Sequence, residues 1–287
     1  MLPYTEFLAL PPMENVSSYA ERDTVLYALG LGVGAESPCE RAELQYVYED
    51  GLRALPTMAV VIATPGFFLK DPRYEVDWRR VLHGEQRLTL HKPLPAAARV
   101  RSVLTFDEIY DKGAEKGALL YSTRKLYDEA SGDLLATLGS TSFMRGDGGC
   151  GGKTEGAPAP HKLPERSPDE TVSVSTFASQ ALIYRLSGDL NPLHADPAIA
   201  EAAGFPRPIL HGLCTYGVVG RSLLRLLCDD DPSRLQQFDT RFSAPVFPGD
   251  DIAIDVWREA PGLASFRARV EERGATVLNN GLIRYSA

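Results

Sequence analysis

The chain repeats itself, and that repeat limits its possible folds more than any other feature. Thr24-Val25-Leu26-Tyr27-Ala28-Leu29-Gly30 resembles Ala181-Leu182-Ile183-Tyr184-Arg185-Leu186-Ser187 at an offset of 157 residues. Thr57-Met58-Ala59-Val60-Val61 resembles Thr215-Tyr216-Gly217-Val218-Val219 at 158, and Lys92-Pro93-Leu94 resembles Ala244-Pro245-Val246 at 152. Each match alone is weak; three in one order at similar spacing point to a duplicated unit. Composition shifts between the copies. Gly146-Asp147-Gly148-Gly149-Cys150-Gly151-Gly152 is followed by a Pro-rich run to about Pro168, and Gly and Pro clusters of this kind read as a linker. The expected organisation is a first unit over 1–145, a linker over 146–169 and a second unit over 170–287.

Each unit has its own pattern. In the second, residues 176–186 read as a short amphipathic helix. Asp196-Pro197 is an N-cap with Pro at the first helical position, and Gly204 ends that helix. Residues 213–227 are strongly apolar (Val218, Val219, Leu223, Leu224, Leu227) and predict a long buried helix. Strand-like stretches follow at 238–243, 251–258, 264–272 and 276–285, separated by Pro248-Gly249-Asp250 and Pro261-Gly262. The first half ends the same way, with strands at 87–90, 99–109, 117–128 and 134–144. A buried helix followed by antiparallel strands predicts a sheet wrapped around a helix, an α+β layer fold.

Composition removes several function classes. With 44% hydrophobic and 24% charged residues, a chain of 287 residues can bury a large core without disulfide staples. The four cysteines (Cys39, Cys150, Cys214, Cys228) are scattered without a CxxC pair, which reads as free thiols rather than a metal site. Thirty Lys+Arg against 38 Asp+Glu leave a net charge of -8, which disfavours nucleic acid and anionic membrane as partners. A local basic patch for a phosphate-bearing small molecule stays open. No apolar run of transmembrane length occurs. The start lacks the basic and apolar regions of a signal peptide, and the end is not Ser-Lys-Leu, so a cytoplasmic location is expected. Gly152-Lys153-Thr154 mimics the end of a phosphate-binding loop, but Asp147 stands where that loop needs its first Gly.

The chemistry-bearing segment is Ser187-Gly188-Asp189-Leu190-Asn191-Pro192-Leu193-His194, a loop between two expected helices. A carboxylate, an amide and an imidazole converging on one pocket can grip and activate a water. The same residues are also turn formers, and His194 can merely pack. As metal ligands, Asp189 and His194 would need a third partner such as His211. Further on, Pro208-Ile209-Leu210-His211-Gly212 opens the long apolar helix. The Gly212 N–H is one of the donors that a helix start leaves without an intrahelical partner. It suits an oxygen gaining negative charge, or it simply caps the helix. At the repeat offset, the slots of Asp189, Asn191 and His194 hold Gly32, Gly34 and Ser37. One copy carries the polar triplet and the other does not, which fits a catalytic unit joined to a binding unit.

These residues resemble a known family. Tyr184-Arg185-Leu186-Ser187-Gly188-Asp189-Leu190-Asn191-Pro192-Leu193-His194, with Gly204-Phe205 and Pro208 to Thr215, is similar to the hydratase signature of MaoC-like dehydratases. More narrowly it resembles the (R)-specific 2-enoyl-CoA hydratases, found free in bacteria and as a domain of the peroxisomal multifunctional enzyme. Supporting likeness in the first half lies at Tyr27 to Gly32, Leu55-Pro56-Thr57, Val81 to Gln86, Lys92 to Pro95 and Asp111-Lys112-Gly113. The resemblance implies a double hot dog, two long central helices wrapped by antiparallel sheet. It implies reversible hydration of trans-2-enoyl-CoA to (3R)-hydroxyacyl-CoA with no metal or other cofactor, in a homodimer. By motif match, Asp189 and His194 are the acid/base pair, Asn191 supports them, and Gly212 donates to the thioester oxygen. His83, Gly84, Lys112 and Phe242 match acyl-CoA contacts, and Glu49 matches a supporting acid. The alternatives are a hot dog acyl-CoA thioesterase and a non-catalytic acyl-CoA binding protein.

Overall fold

Among the described residues ten strands form, two more than alternation and Gly/Pro turns predict, and all ten join one sheet. The computed structural model describes residues 1–35 and 40–286; Ser37 and Cys39 lie outside the described residues. The strands are β1 (Met13–Tyr19), β2 (Val81–Leu90), β3 (Ala98–Asp111), β4 (Ala118–Asp128), β5 (Leu134–Met144), β6 (Glu170–Ser175), β7 (Leu235–Phe242), β8 (Asp251–Ala260), β9 (Leu263–Val270) and β10 (Ala275–Tyr285). The helices are α1 (Tyr4–Leu8), α2 (Glu21–Gly30), α3 (Arg41–Leu44), α4 (Gln180–Tyr184), α5 (Pro197–Ala202) and α6 (Gly212–Cys228). In space the strands run β1-β3-β4-β5-β2-β7-β10-β9-β8-β6. Read inward from each edge, the two halves have the same order, so the duplication shows in the topology as well as in the sequence. The halves fuse where β2 meets β7 antiparallel, Glu85 opposite Arg241 and Thr89 opposite Gln237.

The second unit wraps its sheet around α6, a hot dog. Leu223, Leu224 and Leu227 on this helix are 0–4% exposed. At about 1.5–3 kcal/mol each, these three side chains alone contribute on the order of the whole net stability of a domain. Two glycines let the first unit close on α6. A Cβ at Gly217 would stand 2.6 Å from Leu31 Cδ2, and one at Gly220 would stand 2.7 Å from Thr57 Cγ2. Buried Glu43 adds a polar clamp, accepting from Gly34 N at 2.6 Å and from Arg221 of α6 at 3.1 Å.

The double hot dog stands, but its two long central helices reduce to one. Where the repeat predicts the first unit's helix, the chain makes only a 3-10 turn, Pro56–Val60. The cause is long-range. Buried Arg124 of β4 donates to the carbonyl of Val60 at 2.7 Å and to those of Ala59 and Ile62. Those carbonyls are thereby taken from a continuing helix, and Ala63 turns left-handed at φ 47°. The expected helix over 176–186 is also shorter, because the Thr176 hydroxyl and N–H both donate to the Asp250 carbonyl and end β6 instead. The first part of the glycine run is docked on the first unit. The Asp111 carboxylate accepts from the N–H groups of Gly113, Gly149 and Gly151 at 2.8–3.0 Å. Gly148 lies so close to the Gly113 carbonyl that a Cβ there would clash with it. Cys150, Cys214 and Cys228 are free thiols.

Candidate active site

Local turn chemistry builds the loop between α4 and α5. Gly188 takes φ +119°, reversing the chain after the helix. Asp189 Oδ1 then accepts from Asn191 N at 3.1 Å, and Asn191 Oδ1 accepts from Leu193 N at 3.2 Å. Pro192 opens a 3-10 turn, Pro192–His194, and Asp196 caps α5 by accepting from Ala198 N at 2.9 Å. The turn reading is thus correct for Asn191, whose carbonyl is spent on the backbone. It does not account for His194, whose ring this turn swings inward to 8% exposure while Asp189 stays exposed.

The protonation of His194 follows from its partner. Its Nδ1 lies 2.9 Å from the Ile209 carbonyl oxygen. A carbonyl only accepts, so Nδ1 carries the proton and Nε2 keeps a lone pair. Burial lowers the pKa of the ring below its ordinary value, against the raising effects of the Ile209 carbonyl and the Asp189 charge. His194 is therefore a neutral base at neutral pH. Its ring stacks on that of His211, centroids 3.7 Å apart and planes 28° apart. His211, 1% exposed, donates from Nε2 to the Asp189 backbone carbonyl at 3.0 Å. Burial, then the neighbouring His194, push its pKa down to about 4.

One ligand-type atom each from Asp189, His194 and His211 lies within 4.8 Å of the others. A water bonded to two groups at about 2.8 Å and the tetrahedral angle holds them roughly 4.6 Å apart. A tetrahedral zinc would draw such atoms in to roughly 3.4 Å. Separations of up to 4.8 Å are compatible with one shared water. These three are also the side chains that would hold a metal, if they drew together.

Gly212 begins α6 beside this cluster. The first α6 amides bonded within the helix are those of Cys214 and Thr215, both to the His211 carbonyl, which leaves the Gly212 N–H without a partner inside the helix. Phe242 packs against Gly212, its Cε1 3.4 Å from where a Cβ would be. The Phe242 ring in turn lies 4.8 Å from that of His83. At Gly84 a Cβ would press on the Thr141 carbonyl at 3.1 Å. His83, Phe242 and Gly212 thus form one wall, assembled across the β2–β7 seam. Three residues before His83, roughly 10 Å along the strand, Arg80 joins Lys112, Lys116, Arg145, Glu115 and Phe143 around a groove of about 540 Å³. Glu49 is not brought to the loop. It is exposed, and its neighbours Gln45 and Tyr46 donate to the Asp230 carbonyl, just past the far end of α6. That is roughly 25 Å of helix away from Gly212.

Residues 159–280 match the family model described as MaoC like domain, and residues 17–146 match MFE-2 hydratase 2 N-terminal domain. The chain is 40% identical to "3-hydroxyacyl-thioester dehydratase Y" of Mycobacterium tuberculosis, over 94% of this chain and 93% of that one. It is 37% identical to "Enoyl-CoA hydratase 2, peroxisomal" of Arabidopsis thaliana, over 92% and 90%. The chain belongs to the MaoC-like dehydratase family. A MaoC-like dehydratase from Phytophthora Capsici superposes with a TM-score of 0.86 at 34% identity, covering 98% of both chains. A Mycobacterium tuberculosis protein described as a double hotdog superposes with a TM-score of 0.64 at 14% identity, over 99% and 98%, a likeness of fold alone.

Sequence reasoning passed over His211 as a member of the cluster, weighing it only as a spare metal ligand. The available signal was its place directly before Gly212, at the mouth of a helix expected to be buried. Arg80 and Arg145 were missed because they stand 32 and 33 residues from Lys112 and meet it only through strand pairing.

Proposed function

We propose that the chain is an (R)-specific enoyl-CoA hydratase, running reversibly as a 3-hydroxyacyl-CoA dehydratase. One observation carries this reading: a buried imidazole with its Nε2 lone pair free stands with Asp189 beside the unpaired N–H that opens α6. The Gly212 N–H meets the thioester oxygen, and Gly at that position lets the substrate approach the backbone. Charge arriving at that oxygen as the enolate forms is stabilised. Asp189 and His194 hold a water over C3. One takes its proton as the C3–O bond forms, and a proton is delivered to C2 from the same face. Asn191 fixes the turn that presents both groups, a supporting role through the backbone. Water adds across the double bond with no net redox change, so the reading needs no metal or other cofactor.

The remaining assignments follow the same reading. The groove of Arg80, Lys112, Lys116 and Arg145 is a place for the phosphates of CoA on a chain that is otherwise acidic. His83, Gly84 and Phe242 line the way from it to Gly212. The first unit houses the acyl chain, supported by a cavity of about 220 Å³ whose lining includes Leu52, Ala54, Pro56, Leu90 and Leu94. The chain works as a homodimer in the cytoplasm, without nucleic acid or membrane partners. Among the described residues no helix is long and apolar enough to cross a membrane.

The test is direct. The protein is mixed with crotonyl-CoA and with a longer trans-2-enoyl-CoA, and enoyl absorbance, free thiol and product chirality are followed. Loss of absorbance without thiol release, giving the (3R) product, is expected. Thiol release would instead assign a thioesterase, and no reaction would leave an acyl-CoA binding protein.

A further inference from the structure

His211 is the best-buried histidine of the site, and the hydration mechanism gives it no role. Its surroundings are unusual for a side chain that merely fills space. The ring bonds the backbone of one reacting residue, Asp189, at 3.0 Å and stacks on the ring of the other, His194, at 3.7 Å. Its own backbone nitrogen immediately precedes the Gly212 amide. Tyr184 closes the ring's other surroundings, centroids 5.1 Å apart. An apolar residue would fill the volume, but it would leave the Asp189 carbonyl without this donor and let the exposed loop move away from α6.

We propose that His211 is a positioning residue, a neutral imidazole that locks the Asp189 loop and the His194 ring in register with the Gly212 N–H. The proposal rests on the hydratase reading of the loop. It explains a difficulty in the architecture. Asp189 is exposed on a loop held mainly by its own short turns, whereas Gly212 is fixed at the start of a rigid buried helix. Addition of water needs all three to be placed together, and a displacement of about 1 Å costs on the order of 10²-fold in rate. Of the hydrogen bonds described above, the one from His211 ties Asp189 to the start of α6, and the stack ties His194 to the same point. The ring must also stay neutral, because protonation would place a cation against His194. The charged and titratable groups facing it are Asp189, His194, Arg185 and Tyr184. Burial outweighs the acid among them, so it holds the neutral form.

Three substitutions separate the two contacts. His211→Phe keeps a ring to stack but has no donor, His211→Gln keeps a donor without a ring, and His211→Ala removes both. With crotonyl-CoA as substrate, His211→Ala is expected to lower kcat by about 10–100-fold with KM changed by less than about threefold. His211→Phe and His211→Gln are each expected to recover part of the loss. The acid limb of kcat/KM moves to higher pH in His211→Ala, since solvent reaching His194 lets its pKa return toward about 6.5. A purely structural role would lower the melting temperature and leave that limb in place. Unchanged kcat and limb in His211→Ala, or a loss confined to KM, overturns the proposal. If His211→Ala does not fold, unchanged kcat and limb in the other two variants overturn it equally. Asp189→Asn and His194→Asn are measured alongside. Full activity in those variants sinks the hydratase reading itself, whereas their inactivity beside an active His211→Ala sinks only the role of His211.

Discussion

Asp189→Asn probes the charge of the loop without its shape. The carboxylate is exposed and accepts one backbone hydrogen bond, from Asn191 N at 3.1 Å. An asparagine carbonyl can take over that bond, so the turn should survive and stability should move by no more than about 0.5 kcal/mol. Turnover should fall by about 10²–10⁴-fold, the usual contribution of a positioned acid or base, or roughly 3–5 kcal/mol of barrier. His194→Asn should cost a similar factor in rate. It should also cost about 1 kcal/mol in stability, because the amide can still donate to the Ile209 carbonyl but the ring stacked on His211 is lost. The double variant is the decisive case. If both groups act on one water, removing the second after the first should cost little, and the double should lie within about tenfold of the worse single. Independent contributions would multiply to roughly 10⁴–10⁸-fold. The assay is loss of enoyl absorbance with crotonyl-CoA, with thermal melting as the control for folding. Turnover of Asp189→Asn within threefold of the parent would refute the role of the carboxylate, and fully multiplicative singles would refute the shared water.

Four further outcomes are expected. Since burial lowers the His194 pKa and the reaction needs its neutral form, kcat/KM should hold at pH 6.5 and fall only as the pH drops through a lower value; a limb above about 6.5 would contradict the buried neutral base. The same burial makes the unfolded chain bind protons that the folded one refuses. Stability should therefore decline as the pH falls from about 6.5 toward the His211 pKa of about 4, and chemical denaturation at a series of pH values checks the sign. Gly220→Ala gains about 1 kcal/mol of helix propensity but drives a methyl against Thr57 and Phe238 at 2.7 and 3.1 Å. Overpacking of about 1–3 kcal/mol should win, and a raised denaturation midpoint would show that the first unit yields. Glu43→Gln removes the buried carboxylate that Arg221 and Arg225 both reach and should cost about 1–3 kcal/mol, read as a lowered melting temperature.

The sequence by itself determined what depends on neighbours along the chain. Alternation and turns placed most of the strands, the apolar run placed α6, and the repeat announced two copies of one topology. The Asp189–His194 loop was legible because its turn residues act within three or four positions of one another. β1 and β6, the two edge strands, are short and went unread. What only the tertiary structure decided involves contacts between residues far apart in the chain. Arg124 reaches back more than 60 residues to strip carbonyls from the first unit's helix. Asp111 gathers two glycine amides, those of Gly149 and Gly151, from what read as free linker, and Lys112 finds Arg80 and Arg145 across paired strands. His211 acquires its stack and its Asp189 bond only when a helix start meets a loop 22 residues upstream. Local patterns record hydrogen bonds that close within a turn or a strand; a donor that crosses the core to an unpaired carbonyl leaves no periodic trace, because its partner is chosen by the packing of layers.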